Sequence, residues 1–301
     1  MKIWILDKEK NKESNGIKKL LAEGLSQGLD IEFVSIEDIE LVINANLDEK
    51  LFIKNQKVKL PDIVIPRMDN SYQIKSIIDF MENQGINIIN SNSARLLAND
   101  KFLSLQKLAA NRIPVPKTML LKGIPSIDFI EKQLSYPIII KKLDGHAGKG
   151  IIKVNNNGEL EDILEMLEES LTKLNNNLIV QEYIGEKAGQ DLRIFLIGGR
   201  VIGAMLRKGK EGDFKANFSG GGSVHPHELN ETEEILAIES AKSIGLDIAG
   251  VDLLFDKDSG YKICEVNASP GWKGLEQATG INIAGEIISY IIKRYNINTD
   301  K

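Results

Sequence analysis

The sequence predicts a small α/β domain with a mainly parallel sheet, followed by a longer α+β region that turns antiparallel toward its end. Three observations carry this reading. Up to about residue 97, short apolar runs alternate with stretches of helical period, the pattern of strand, helix and strand laid side by side. Further on, two apolar runs flank Gly198-Gly199, a two-residue hairpin signal. A second hairpin pattern joins Gly250-Val251-Asp252-Leu253-Leu254-Phe255 to Tyr261-Lys262-Ile263-Cys264-Glu265-Val266-Asn267 through Asp258-Ser259-Gly260.

Residues 2–6 read as a buried strand, and Ile17, Leu20, Leu21, Gly24, Leu25 and Gly28 then recur at helical spacing. Strands follow at 31–35 and at 62–65, the latter bounded by Pro61 and Pro66. A helix with Ile74, Ile77, Ile78 and Met81 on one face and a strand at 86–89 complete the first region. Asp100 is an N-cap for a helix reaching Ala110, and Pro114 and Pro116 mark a break. Beyond it the pattern gives strands near 118–121, 137–141, 150–154 and 178–182, with helices near 126–134 and after Gly158, the second carrying Ile163, Met166, Leu167 and Leu171. The strands at 191–197 and 201–207 form the first hairpin, and the polar, glycine-rich stretch 209–223 is expected to be mobile or ordered by a ligand. A helix near 231–245, the second hairpin and a helix carrying Ala284, Ile287, Ile288, Ile291 and Ile292 end the chain, with the last few residues expected to be disordered.

Composition narrows the function classes. The chain has 301 residues, with 42% hydrophobic and 27% charged, which suits a globular protein with a real core. A net charge of -5 gives no reason to expect nucleic acid as a partner. No apolar run approaches the length needed to cross a membrane, so a cytoplasmic protein is expected. The single cysteine, Cys264, lies one residue from Glu265, so strand alternation puts it on the opposite face as a buried thiol. His225 and His227 alternate around Pro226 without zinc-ligand spacing.

Chemistry concentrates in four places. In the second hairpin, Glu265 and Asn267 share a strand face and the turn can fold Asp252 beside them, giving three oxygen ligands suited to Mg²⁺; a merely polar hairpin face has the same letters. Ile138 to Gly150 is a strand ending in Lys141, a loop with Gly145, Gly148 and Gly150, and a second strand. Glycines let backbone N–H groups surround a polyphosphate and the lysine adds a point charge, although the spacing is not that of a P-loop. Gln181-Glu182-Tyr183-Ile184 ends an apolar strand in polar groups that could meet an adenine edge, with Glu182 or Asp191 available to a ribose or amine. Arg193 and Arg207 flank the Gly198-Gly199 turn and are candidates for a substrate carboxylate or an oxyanion.

The order of these motifs, together with Asn99-Asp100-Lys101, Asp191-Leu192-Arg193, residues 210–217, Ala249-Gly250-Val251-Asp252, Glu265 to Gly271, Thr279-Gly280-Ile281 and Ile65-Pro66-Arg67, resembles the ATP-grasp superfamily and, within it, RimK-like glutamate ligases. The resemblance implies an α+β ATP-grasp fold, two α+β lobes clasping ATP, preceded by a small α/β pre-ATP-grasp domain. It divides the chain into 1–97, 98–187 and 188–301. It implies ATP contacts from Lys101, Lys141, Gly145, Gly148, Gly150, Gln181, Glu182, Tyr183, Ile184, Asp191, Lys215, Ala216 and Asn217. The stretch matching Lys215-Ala216-Asn217 reads Arg-Ser-Asn in the best-known members, so Asn217 carries most of that match. Asp252, Glu265 and Asn267 match ligands for two Mg²⁺ ions, for which Mn²⁺ can substitute, with Glu265 between them.

The implied activity is an ATP-dependent carboxylate–amine ligase acting through an acyl phosphate, with Lys141, Arg193 and Arg207 as catalytic groups. L-glutamate is the expected amino acid, and the acceptor is a protein C-terminus, a peptide or a small molecule. Relatives that glutamylate cofactors, act on an amino-group carrier protein or cyclise peptides keep other substrates open, as do biotin-carboxylase-like and D-alanine-ligase-like enzymes, and homo-oligomers are common in the family. A non-catalytic, nucleotide-binding regulatory module is the rival of another class. The intact set Lys101, Lys141, Asp252, Glu265 and Asn267 argues for catalysis.

Overall fold

The computed structural model describes residues 1–43, 50–68, 71–121, 125–143, 150–172, 178–216, 221–258 and 260–297. The chain starts with β1 (Lys2–Asp7), α1 (Asn15–Ser26) and β2 (Asp30–Ser35), then a small antiparallel sheet of β3 (Ile39–Val42), β4 (Lys50–Ile53) and β5 (Gln56–Lys57). That small sheet was not anticipated from the sequence. β6 (Ile63–Pro66), α2 (Tyr72–Asn83) and β7 (Asn87–Ile88) follow, and the main sheet runs β2-β1-β6-β7 with every pair parallel. The helices sit where their apolar stripes predict: Ile17 and Leu20 of α1 are buried, as are Ile74, Ile77, Ile78 and Met81 of α2. Leu25, counted in the α1 stripe, is instead 60% exposed. Gly24 lets α1 lie close on the sheet, since a Cβ there would stand 2.8 Å from Ile31. The chain leaves β1 toward β2 on one side and returns to β6 on the other. The carboxyl ends of β1 and β6 therefore border the kind of crevice where open α/β sheets take ligands.

Next come α3 (Asn92–Asn99) and α4 (Lys101–Ala110), and Asp100 caps α4 by accepting from the N–H groups of Phe102 and Leu103 at 3.0 and 2.9 Å. A second sheet contains β8 (Thr118–Leu121), β9 (Ile138–Lys142), β10 (Ile151–Val154) and β11 (Leu178–Glu182) in the order β10-β9-β11-β8, all antiparallel. α5 (Ile127–Gln133) and α6 (Asn157–Thr172) complete a self-contained core of Ile130, Leu134, Ile138, Ile140, Leu160, Leu164 and Val180. The buried stripe of α6 is Leu160 and Leu164 with Ile163 beside them, while Met166, expected inside, is 70% exposed because it falls on the far side of the helix.

The last sheet holds β12 (Gln190–Ile197), β13 (Arg200–Lys208), β14 (Ser223–Pro226), β15 (Ile248–Asp256) and β16 (Gly260–Asn267), antiparallel throughout in the order β14-β13-β12-β15-β16. Gly198 and Gly199 both have positive φ, 57° and 75°, as a tight hairpin turn requires. α7 (Glu231–Ile244) begins with a capping box between Asn230 and Glu233 and ends on left-handed Gly245. α8 (Lys273–Thr279) and α9 (Ile283–Arg294) close the chain. The residues expected to be disordered at its end, 298–301, lie outside the described ones.

This sheet is covered on both faces. Leu192, Ile194 and Leu196 face a core shared with α3, α4 and α7. Phe195, Ile197, Met205 and Ile248 face another that is continuous with Ile3, Ile5, Ile63 and Ile65 of the parallel sheet and with α9. Asn90 is 2% exposed and stitches the two together: it donates to the carbonyls of Ile248 and Ala268 at 2.7 and 2.8 Å and accepts from the N–H groups of Asp247 and Ile248 at 2.6 and 2.8 Å. On that same face the strands turn from apolar to charged toward one end, from Phe195 to Arg193 and Asp191, from Met205 to Arg207, and from Ile248 to Asp252.

Candidate active site

The charged end of the last sheet faces the ends of β9 and β11 across an open cleft. Its walls bring together Lys101, Lys141, Gln181, Glu182, Tyr183, Ile184, Asp191, Arg207, Lys215, Ala216, Asp252 and Glu265. Arg193 and Asn267 stand behind this wall, each in contact with Glu265. Gly150 has φ 72° and lies against the Lys142 side chain. Gly145, Gly148 and Asn217 lie outside the described residues, as do 217–220 of the stretch expected to be ligand-ordered.

On one wall, Lys141 is aimed by Gln181, whose buried amide oxygen accepts from Nζ at 2.7 Å while its NH₂ donates to Thr118 at 2.8 Å. Lys101 Nζ donates to the Leu143 carbonyl at 3.1 Å, at the start of the glycine loop. Glu182 is already engaged: Oε1 accepts from the Lys117 N–H at 2.7 Å and from Lys262 Nζ at 2.6 Å, so it joins the two walls of the cleft. Tyr183 stands edge-on to Phe214 at 6.4 Å with Lys153 Nζ 4.2 Å from its ring centre.

On the other wall, acids and arginines interlock. Arg193 grips both oxygens of Asp252 at 2.7 and 2.6 Å, and Arg207 grips both oxygens of Asp191 at 2.6 and 2.5 Å while reaching Asp252 at 2.7 Å. Burial pushes the Asp252 carboxyl up, but the charges and hydrogen bonds of Arg193 and Arg207 outweigh it and hold the group down at about 2. Burial dominates at Asp191 and pushes it up to about 6 despite Arg207. Arg207 is driven well above its ordinary value because Asp252 and Asp191 outweigh its burial. The rigid fork of a guanidinium makes such bidentate pairing possible, so these two arginines fix where the carboxylates point.

A metal ion implied by this arrangement would be a hard one. Among the described residues no three His, Cys, Asp or Glu side chains gather as a metal cluster; the converging donors are two carboxylates and the Asn267 amide. Three arginine N–H groups use three of the roughly four lone-pair positions of Asp252, leaving one on Oδ1. The Glu265 side chain is 38% exposed in the cleft. Oxygen donors with room for substrate phosphates and water fit Mg²⁺.

Alternation in β16 does not hold. Asp252 pairs with Glu265 but Leu253 pairs with Ile263, so Cys264 is the extra residue of a β-bulge. The bulge turns Cys264 into the same cleft as Glu265, with Sγ 3.9 Å from Lys141 Nζ, instead of onto the opposite face. Burial pushes its thiol up to about 11, against the opposing pull of Lys141. The sequence reading also passed over Ile139, Ile151, Leu254, Phe214 and Gln190, which line the cleft. The signal was present for two of them, since Ile139 and Leu254 are two residues from Lys141 and Asp252 on the same strands.

Family models match nearly the whole chain: a RimK pre-ATP-grasp domain over residues 1–94 and a RimK-like ATP-grasp domain over residues 98–291. The chain belongs to the RimK-like ATP-grasp family. This RimK-like ligase is 34% identical over 297 residues, covering 98% of this chain and 96% of the other, to a probable alpha-L-glutamate ligase of Legionella pneumophila. It has the ATP-grasp fold, preceded by the family's pre-ATP-grasp domain. A solved structure of the ATP-grasp ligase PsnB with a precursor variant, Mg and ADP superposes with a TM-score of 0.75 at 17% identity, over 97% of this chain and 98% of that one. A D-alanine–D-alanine ligase from Bacillus anthracis complexed with ATP superposes with a TM-score of 0.65 at 18% identity, over 97% and 96%. At these identities the two superpositions speak for the fold alone. Among the described residues no helix is long and apolar enough to cross a membrane.

Proposed function

We propose that the cleft binds ATP with Mg²⁺ and joins L-glutamate through its amine to a carboxylate acceptor, a protein C-terminus, peptide or small molecule, by way of an acyl phosphate. The observation that carries this reading is that lysines from one wall and carboxylates from the other meet in a single cleft. The name of the Legionella relative, similar along its full length, favours glutamate as the amino acid.

Each group has a role that follows from its surroundings. Ile139, Ile151 and Leu254 supply the apolar surface an adenine ring requires, beside Tyr183 and Phe214. The strand end at Gln181 to Ile184 offers backbone groups to its edge, because the Glu182 side chain is already committed to Lys262 and Lys117. Lys141 and Lys101 supply fixed positive charge for the phosphates, and Gln181 holds Lys141 in place before any ligand arrives. Asp252, Glu265 and Asn267 would hold the metal. When bound, Mg²⁺ neutralises phosphate charge so that a carboxylate can approach the γ-phosphorus. Arg193 and Arg207 keep the carboxylates in register.

The test is a phosphate-release screen over amino acids and acceptors, with the product weighed. Release that depends on glutamate and an acceptor, with a mass gain of one glutamyl residue, is expected; release indifferent to any amino acid would sink the reading, and no release with any amino acid or acceptor would favour a regulatory module.

A further inference from the structure

We propose that Arg67 and the Ser269 hydroxyl form a subsite for a non-reacting carboxylate of the incoming amino acid, at the junction between the parallel sheet and the metal-ligand hairpin. The inference rests on the ligase reading above and deepens it.

Four observations converge on this spot. Arg67 directly follows β6, and its N–H donates to the Leu6 carbonyl at 2.8 Å, so it stands at the crevice between the carboxyl ends of β1 and β6. Its guanidinium lies 4.4 Å from the Trp272 ring centre and Nη2 donates to the Pro270 carbonyl at 3.1 Å, which locks the group in place. A guanidinium has five donors, and among the described residues this is its one side-chain hydrogen bond. Burial draws the Arg67 pKa down to about 10, Asp7 opposing and Arg95 assisting, so an anion at this place would relieve a charge that its surroundings disfavour.

Ser269 supplies the second half. Its Oγ is buried with no hydrogen-bond partner among the described residues, and such a group is costly unless something completes it. It lies two residues after Asn267 and next to Pro270, the residue that Arg67 holds. Pro270 in turn sits on Gly250, where a Cβ would come within 2.7 Å of it, so the turn is pressed against the strand carrying Asp252. The subsite therefore adjoins the reacting centre without being part of it. Arg193 and Arg207 serve this purpose less well: both are held bidentately by Asp252 and Asp191, and a substrate carboxylate would have to compete with them.

Glutamate offers two such carboxylates, α and γ, and the same donors suit either. The test uses Arg67→Met, which keeps an apolar side chain on Trp272, and Ser269→Ala, which removes a hydroxyl that bonds nothing among the described residues. Glutamate binding is measured calorimetrically, and KM is measured for glutamate, glutamine and glutamate α-amide at saturating ATP and acceptor. Arg67→Met should weaken glutamate about 10- to 100-fold, as the loss of a charge-assisted hydrogen bond predicts, with KM for ATP unchanged. The analogue lacking the carboxylate that Arg67 reads should lose far less, which separates α from γ. Ser269→Ala should raise KM for glutamate on the order of 10-fold, the loss of one hydroxyl hydrogen bond to a carboxylate, while its unfolding midpoint stays level or rises. Two folded variants that bind glutamate as tightly as the natural protein would overturn the subsite, and so would equal losses for glutamate and both analogues. If the natural protein binds glutamate and the variants do not, yet no amide forms, the subsite stands and the ligase reading falls.

Discussion

The two walls of the cleft are attached to the molecule in different ways. The last sheet shares one uninterrupted apolar core with the N-terminal parallel sheet, and Asn90 ties their backbones with four hydrogen bonds, three of them buried. The sheet β10-β9-β11-β8 has a core of its own and meets the rest through polar contacts such as Lys262 with Glu182 and Lys101 with Leu143. Packed apolar cores resist deformation, whereas a few half-exposed polar links do not. The wall with the acids, and the Arg67 crevice beside it, is thus built into the larger core, whereas the wall with Lys141 has its own core and is tied to it by polar links.

Removing Asp252 should do the most damage. Asp252→Ala leaves Arg193 and Arg207 buried without their shared partner, which costs about 3–5 kcal/mol of stability as well as activity. Glu265→Ala, on the more exposed neighbour, should unfold at the same denaturant midpoint yet lose at least ~100-fold in turnover, the scale of losing one preorganised charged contact to the transition state. If the two variants lose stability equally, the wall with the acids is not held by the arginine pairs.

Asn90→Ala tests whether the two sheets are one body. It leaves buried backbone groups without partners and should cost about 3 kcal/mol, with both sheets unfolding in a single transition. Separate transitions would break the comparison. Lys262→Met should cost at most ~1 kcal/mol, since its pairs with Glu182 across the cleft and with Asp256 are both partly exposed, and should act on KM for ATP instead. The gentlest probe is Cys264. Its thiol, pushed up to about 11 and facing the cleft, should react with iodoacetamide at slightly alkaline pH on the order of 100-fold more slowly than a free thiol, and more slowly still with ATP bound. Alkylation indifferent to ATP would mean that the nucleotide does not cover it.

What the sequence made legible follows from how local each signal is. Alternation within β9 and β15 and the turn at Gly198-Gly199 are set by neighbours along the chain, so the hairpins and Lys141, Asp252 and Glu265 could be read directly. The bulge at Cys264 arises from register between two strands and reverses a side chain that alternation assigns to the other face. The partners of Arg193, Arg207 and Glu182 come from other strands, so their residue types announced charge but not what each charge holds. A short element escaped for a related reason: β5 has two residues, too few to show a period, whereas the strand read at 86–89 is β7. The stacking of Arg67 on Trp272 joins residues far apart in the chain, and neither residue alone suggests the other.

The most direct test of the chemistry follows oxygen. With the acceptor identified by the screen and its carboxylate labelled with ¹⁸O, turnover through an acyl phosphate must move one labelled oxygen into inorganic phosphate, because the carboxylate oxygen that attacks the γ-phosphorus departs with it. The account predicts ADP and singly labelled phosphate in equal amounts, formed only when glutamate is present to take the acyl group. Unlabelled phosphate, or AMP and pyrophosphate in place of ADP, would contradict it.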